Sequence, residues 1–310
     1  MSIWFAKVYG LGVRSEVEVA DWPAVAPCAV DIEVRRANLS SPPFGTEPQA
    51  TRWEAVDGGL LVAVTGVGRF AAREGRLIEV DADPGAKRED LDLYLSGAML
   101  GAVLHQRGLF PLHAAAVAHG GVAVAIAGES SAGKSTLAAT LVATGGTFLT
   151  DDSSVLDFGR GGVSLWPGAR RLKLDKQSLG LLRQSPGEDL ASAGGTRGKY
   201  HAPVEAPLSS AGPVPLARVY LLTDGSGPPR LERLAGLEAV SAIADHAHFL
   251  VFAIAMGRQR QIFQLAARAA GGLEVYRLIR PRGLEQLPAI AELVRAGSPT
   301  AEPRSEGVVA

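Results

Sequence analysis

One stretch limits what this chain can fold into more than any other: "VAVAIAGESSAGKSTLAATL", residues 122–141, where an apolar run meets a glycine-rich turn and then a helical pattern. Within it "GESSAGKS", Gly128 to Ser135, fits G-x-x-x-x-G-K-[ST]. Such a turn needs a strand behind it and a helix in front of it, so the chain is predicted to be α/β, with helices packed on a mixed sheet. The glycines, Gly128 and Gly133, allow the backbone to curl its N–H groups inward around a polyphosphate. Glu129, Ser130, Ser131 and Ala132 complete the curl, and the dipole of the following helix favours negative charge. Lys134 is placed for the β- and γ-phosphates, Ser135 for Mg²⁺, and Thr136 for the α-phosphate side. Only 6 of the 31 basic residues are lysines, so a lysine in this turn is not incidental. ATP and Mg²⁺ are the expected cofactors. The loop leaves the reaction open, because hydrolysis, phosphoryl transfer and nucleotide sensing all use it.

Composition narrows the partners. With 310 residues, 47% of them hydrophobic, the chain can bury a sizeable core. Its 31 basic and 32 acidic residues leave a formal charge of -1, so no overall basic field recruits nucleic acid or an anionic membrane. The longest apolar run, "FLVFAIAM", is far shorter than the roughly 20 residues a membrane helix needs, and "MSIWFAKVYG" has no secretory pattern. These features predict a cytoplasmic protein. The single cysteine, Cys28, cannot close an internal disulfide and reads as a small buried hydrophobe.

Residues 1–84 alternate with period two between Gly, Asp and Pro punctuation, which predicts a β-rich lobe of antiparallel hairpins, "VDGGLL" being the clearest turn. "REDLDLYLSGAMLGAVLHQRG" predicts one long helix ended by Gly108. Residues 85–297 then form the phosphate-loop domain. "PLHAAAVAHGGVAVAIAG" gives two short strands joined by "HGG", and "TFLTDDSSVLDF" a strand with paired aspartates at its carboxyl end. "LEAVSAIADHAHFLVF" and "GRQRQIFQLAARAAGG" read as helices, with a last helix near 283–296. Residues 185–198 read as a mobile Gly/Ser-rich loop, and 298–310 as a disordered tail.

Asp151 and Asp152 follow Lys134 at the end of the next strand, which in a phosphate-loop fold often runs beside the first. One carboxylate there can serve Mg²⁺ and the other accept a proton from an attacking hydroxyl. His113, on the strand next to the phosphate-loop strand, reads by itself as a core histidine with a satisfied hydrogen bond.

The span "LHAAAVAHGGVAVAIAGESSAGKSTLAATLVATGGTFLTDDSSVL" resembles the catalytic core of the HPr kinase/phosphorylase superfamily, bacterial serine kinases related in fold to phosphoenolpyruvate carboxykinase. The resemblance rests on three joint features: His113 ahead of the loop, the loop, and "LTDD" after it. It implies a phosphate-loop kinase core of the HPr kinase/carboxykinase type with an N-terminal β-rich lobe, and active-site roles for His113, Lys134 and Asp152. Asp152 is then the expected base for an acceptor serine and Asp151 the metal-side group, although the pair could be reversed. No counterpart of the "E-I-R-G-L-G" segment of genuine HPr kinases is present. The whole chain looks more like the shorter HPr-kinase-like proteins that accompany lasso-peptide genes, which phosphorylate the C-terminal serine of a precursor peptide. The partner so implied is a serine-bearing peptide or small protein, and the family's hexamers raise a homo-oligomer as a possible state. The rival readings are a genuine HPr serine kinase/phosphorylase, a carboxykinase acting on a small metabolite, and a nucleotide-binding regulatory ATPase or sensor. No "LSGGQ"-type segment of a transporter ATPase follows the loop.

In "ARRLKLD", alternation puts Leu172 and Leu174 on one face and Arg171 and Lys173 on the other. Arg171 and Lys173, with Lys199 of "TRGKYH", are candidate substrate-side cations. Arg258 and Arg260 read as an exposed helix start, and Asp245, His246 and His248 as structural residues.

Overall fold

The computed structural model describes residues 3–39, 51–159, 161–169, 171–182, 198–204 and 212–297. The segment expected to be a mobile loop lies outside the described residues apart from Gly198, and the expected tail lies outside them entirely.

Seven strands form the first sheet: β1 (Trp4–Val8), β2 (Leu11–Ser15), β3 (Ile32–Arg36), β4 (Thr51–Val56), β5 (Gly59–Val64), β6 (Gly68–Arg73) and β7 (Leu77–Ala82). Two of its connections are two-residue hairpins with both central residues at positive φ, Tyr9–Gly10 and Asp57–Gly58, the geometry that matches strand twist, and the three-residue β6–β7 connection also has Glu74 and Gly75 at positive φ. The expected run of antiparallel hairpins is only part of the pattern, since β3 pairs in parallel with both β2 and β7. The long 16–31 excursion before β3 returns the chain in the same direction, which a tight hairpin cannot do. Cys28 lies in this excursion and is exposed, not buried as its residue type suggests.

The predicted long helix forms as α1 (Arg88–Tyr94), a π-helical segment Leu95–Met99, and α2 (Leu100–Gln106), and Gly108 follows at φ 78°. Its apolar face supplies Leu95, Met99, Leu100, Val103 and Leu104 to the same core as Ile32, Val62, Phe70 and Ile78 of the sheet. Full burial of each such side chain contributes about 1.5–3 kcal/mol relative to exposure, so this core is the lobe's main cohesion.

The second assembly begins with β8 (Phe110–Leu112), β9 (Ala114–His119), β10 (Val122–Ala127) and α3 (Lys134–Ala143). It continues with β11 (Thr147–Thr150), β12 (Ser154–Gly159), β13 (Gly162–Leu165), β14 (Arg171–Asp175), α4 (Lys176–Leu179), β15 (Lys199–Pro203), β16 (Val214–Asp224) and β17 (Arg230–Leu234). Helices α5 (Gly236–Asp245), α6 (Leu250–Ala255) and α7 (Gln259–Gly272), strand β18 (Glu274–Arg280) and helix α8 (Leu287–Ala296) complete it. Its mixed sheet has the order β11-β9-β10-β16-β13-β12-β8, with β18 joining β16 and β17 joining β18. Strands β10, β16 and β18 are parallel, while β9 is antiparallel to both β10 and β11. β11 therefore points the same way as β10 but is separated from it by β9. Ala115, Val117, Val124 and Ile126 face α3 and α8, while Ala114, Ala116, Ala123 and Ala125 face the α5–α7 side. Both faces are covered, as the unbroken apolar strands require.

One predicted helix is divided. "LEAVSAIADHAHFLVF" forms α5 and α6 with a turn at residues 246–249, where Phe249 has φ 56°. The turn exists because the sheet edge captures its backbone: Ala247 bridges Leu112, and the His248 N–H donates to the Pro111 carbonyl at 2.8 Å.

Candidate active site

The register of β9 against β10 opposes Ala114 to Ala127, so the entrance of β9 and the exit of β10 share one edge of the sheet. His113 immediately precedes β9, and Gly128 immediately follows β10. Thr150, the last residue of the co-directional β11, brings Asp151 and Asp152 to the same edge. The sheet thus gathers all three sequence features at one level.

The loop has the expected backbone. Gly128 and Gly133 have φ of 148° and 92°, values that a β-carbon disfavours, and Ser131 is left-handed at 62°. Ala132 N–H donates to Glu129 O at 3.1 Å, closing the turn, while Glu129, Ser130 and Ser131 stay exposed. Helix α3 starts at Lys134 with no side-chain cap, leaving its first-turn N–H groups directed at the space above the loop.

The Lys134 ammonium is buried and donates to Gly128 O at 2.9 Å, Glu129 O at 3.0 Å and His113 Nε2 at 3.0 Å. An ammonium only donates, so His113 Nε2 is the acceptor and its proton sits on Nδ1, which donates to the Asp152 carbonyl at 3.1 Å. Burial first, and then the Lys134 charge, hold His113 below the ordinary imidazole range, which keeps this acceptor neutral. Burial also lowers the Lys134 ammonium, with the Asp152 and Asp151 charges working in the opposite direction.

The two carboxylates have opposite environments. Asp151 accepts from Ser135 Oγ at 2.9 Å, the Asp152 N–H at 3.0 Å and the Lys173 N–H at 2.9 Å. Burial and the neighbouring Asp152 charge nevertheless raise its carboxyl above the usual range. Asp152 also feels burial, but the ion pair and hydrogen bond with the Lys173 ammonium outweigh it and hold the carboxyl below the usual range. Asp152 sits at φ 64°, inside a turn fixed by Thr150 Oγ1 donating to Ser153 O at 2.9 Å and Ser153 N–H donating to Asp151 O at 2.8 Å.

Ser135 and Asp151 present paired oxygens beside the loop, the donor chemistry a hard cation takes. Among the described residues no group of three or more His, Cys, Asp and Glu could hold a metal with protein ligands alone. A magnesium ion here fits only as one shared with phosphate oxygens and water, its usual arrangement with a nucleotide.

Two cavities adjoin the site, one at the loop and one at the aspartate turn. One, of about 530 Å³, adjoins Ser131, Gly133 and Thr136 and reaches Arg280, Arg282 and Glu285. The other, of about 240 Å³, has Asp151, Asp152 and Lys173 among its lining residues.

Lys173 is thus brought into the site, and Leu172 and Leu174 are buried as alternation required. The Arg171 side chain lies outside the described structure. Lys199 stands opposite Asp175 in the β14–β15 ribbon, and its charge contributes to lowering Lys134. Thr136 contacts Ser178 Oγ at 3.2 Å.

One residue escaped the sequence reading, and another, His248, was read there only as structural. Arg280, buried at the end of β18, donates to the Ala132 carbonyl and braces the loop from below. Its position at the exit of a strand parallel to the phosphate-loop strand was the available signal. His248 stacks on His113 with ring centroids 4.7 Å apart, and burial pushes its imidazole down to about 3. Its place in the site was hidden by the helical reading of its segment. His246 is structural, its carbonyl accepting the His113 N–H at 2.7 Å.

No family model matches the chain, and no curated protein matches it. Among solved structures, the HPr(Ser) kinase/phosphatase from Coxiella burnetii aligns with 60% of this chain and 94% of its own, at 14% identity and a TM-score of 0.30. A likeness this weak leaves the activity to be read from the chain's own residues. No helix among the described residues is long and apolar enough to cross a membrane.

Proposed function

We propose that this chain is an ATP- and magnesium-dependent kinase that transfers the γ-phosphoryl group to a serine hydroxyl of a peptide or small protein in the cytoplasm. The observation that carries the reading is the continuous set of bonds from Ser135 through Asp151 and Lys173 to Asp152, and from the Asp152 backbone through His113 to Lys134. This network ties the Lys134 ammonium at the loop to the turn that carries the Asp152 carboxylate.

In this reading the loop N–H groups and Lys134 bind the triphosphate, whose oxygens replace the Gly128 and Glu129 carbonyls as partners of the ammonium. Neutral His113 keeps the ammonium aimed, and the larger cavity beside Thr136 receives the nucleoside. Ser135 and Asp151 would hold magnesium, which when bound would supply neutralisation of phosphate charge. The acceptor oxygen bonds to the γ-phosphorus as the bond to the leaving ADP oxygen breaks, and the hydroxyl proton passes to Asp152. A carboxylate held below the usual range is a weak base, which suffices because this proton leaves late in a loose transfer. Positioning and fixed charge supply most of the rate.

The C-terminal serine of a lasso-peptide precursor is the acceptor that the sequence resemblance favours, ahead of HPr. Incubation with γ-labelled ATP, magnesium and serine peptides tests the reading: label on the peptide is expected. Phosphate release with no labelled peptide contradicts it and favours a regulatory ATPase.

A further inference from the structure

The smaller cavity has two unlike ends. Asp151, Asp152 and Lys173 line one, while the other is formed by the first lobe and its helix: Trp22, Pro23, Leu93, Tyr94 and Ala98, with Phe249 beside them. Trp22 and Ala98 belong to the first lobe's core, with Tyr94 and Phe249 packed against it, so these walls are held rigidly. A group whose oxygen lies at Asp152 must therefore place its neighbouring atoms against aromatic and aliphatic surface. With Asp21 on the wall and the Lys173 ammonium already paired with Asp152, the described lining offers an acidic neighbour no cation of its own, which opposes one.

Resting on the kinase reading, we infer that the first lobe is the acceptor-specificity element, and that the acceptor is a serine adjacent to a bulky apolar residue whose side chain fills this cavity. At about 240 Å³ the space suits a residue or two of an extended chain, not the surface of a folded domain. Its continuity with the carboxylate floor means that seating the side chain also fixes the hydroxyl and displaces water from beside the γ-phosphate. Binding energy from the neighbour is then used to position the reacting atom.

Gly97 offers a way to block the cavity without disturbing the loop. It lines the space, and a β-carbon added there would meet only Phe249, at 3.6 Å. The test uses short peptides identical except for Phe, Leu, Ala or Asp beside the serine, with the full chain as wild type and Gly97→Leu. Binding of a non-hydrolysable ATP analogue reports folding of each protein. The wild type is expected to favour Phe or Leu over Ala by roughly tenfold or more in kcat/KM. Asp is expected to be poorest, and Gly97→Leu to bind the analogue normally yet lose the preference. Equal use of all four peptides, or a preference that survives in Gly97→Leu, overturns the inference and leaves the kinase reading standing. Transfer to a serine on a folded domain but to no free peptide also overturns it. Failure to label any acceptor despite nucleotide binding removes the kinase reading, and this inference with it.

Discussion

Lys173 sets the difference between the two aspartates, because its main-chain N–H serves Asp151 while its ammonium serves Asp152. The Asp152 carboxyl is held below the usual range by that ammonium against the opposing effect of burial, so the active, ionised form persists to low pH. The Asp152 contribution to activity should therefore be lost only as pH falls through its depressed pKa, below the range in which the raised Asp151 carboxyl takes up its proton. In Lys173→Met the carboxyl titrates higher, and the acidic limb of the kcat/KM profile should move to higher pH. An unmoved limb would separate Lys173 from Asp152. The loop and the aspartates were legible in the chain because local rules place them, a glycine pattern and a strand end, whereas His113 reads by itself as a core histidine and was raised to the site only by the family resemblance. The partner of Lys173 was not, since alternation gives a face but not the turn that packs upon it. The contact of His248 with His113 was hidden for a related reason, as nothing local shows that β8 will take up the backbone of residues 247 and 248.

At the scale of elements, α2 and the turn before α6 meet with no space to spare. A β-carbon on Gly101 would overlap the Phe249 ring, which itself stacks on His248 with centroids 4.1 Å apart. Gly101→Ala should cost about 1–3 kcal/mol, the usual range for overpacking, and lower Tm by several degrees. An unchanged Tm would mean that the helix and the ring shift apart freely. Most elements followed from periodicity and turn residues, including the long helix and the strand–loop–helix unit. Pairing partners did not. That β3 runs parallel to β2 and β7, and that β9 lies between β10 and β11, depends on long-range burial that no window of sequence contains.

Across the whole molecule, the first lobe reaches into the second at the catalytic turn. The Tyr9 hydroxyl donates to the Ser153 carbonyl at 3.1 Å, and Val155 of β12 joins the first lobe's core. A file of ring contacts, stacked from His113 through His248 and Phe249 to Phe252 and then edge-on to Trp53, runs from the Lys134 partner to the first lobe's edge strand. Tyr9→Phe removes a hydrogen bond worth about 0.5–1.5 kcal/mol and should lower kcat while nucleotide affinity stays within a factor of two to three or so. An equal loss of both would show the lobe acting on the whole site and not on the turn. The account as a whole holds that nucleotide is gripped at the loop while Asp152 receives the acceptor's proton. The most direct measurement pairs ATP affinity with single-turnover transfer to a serine peptide in wild type and Asp152→Asn. The expected result is unchanged affinity with transfer slowed by about 10²-fold or more; transfer at the wild-type rate in Asp152→Asn would contradict it.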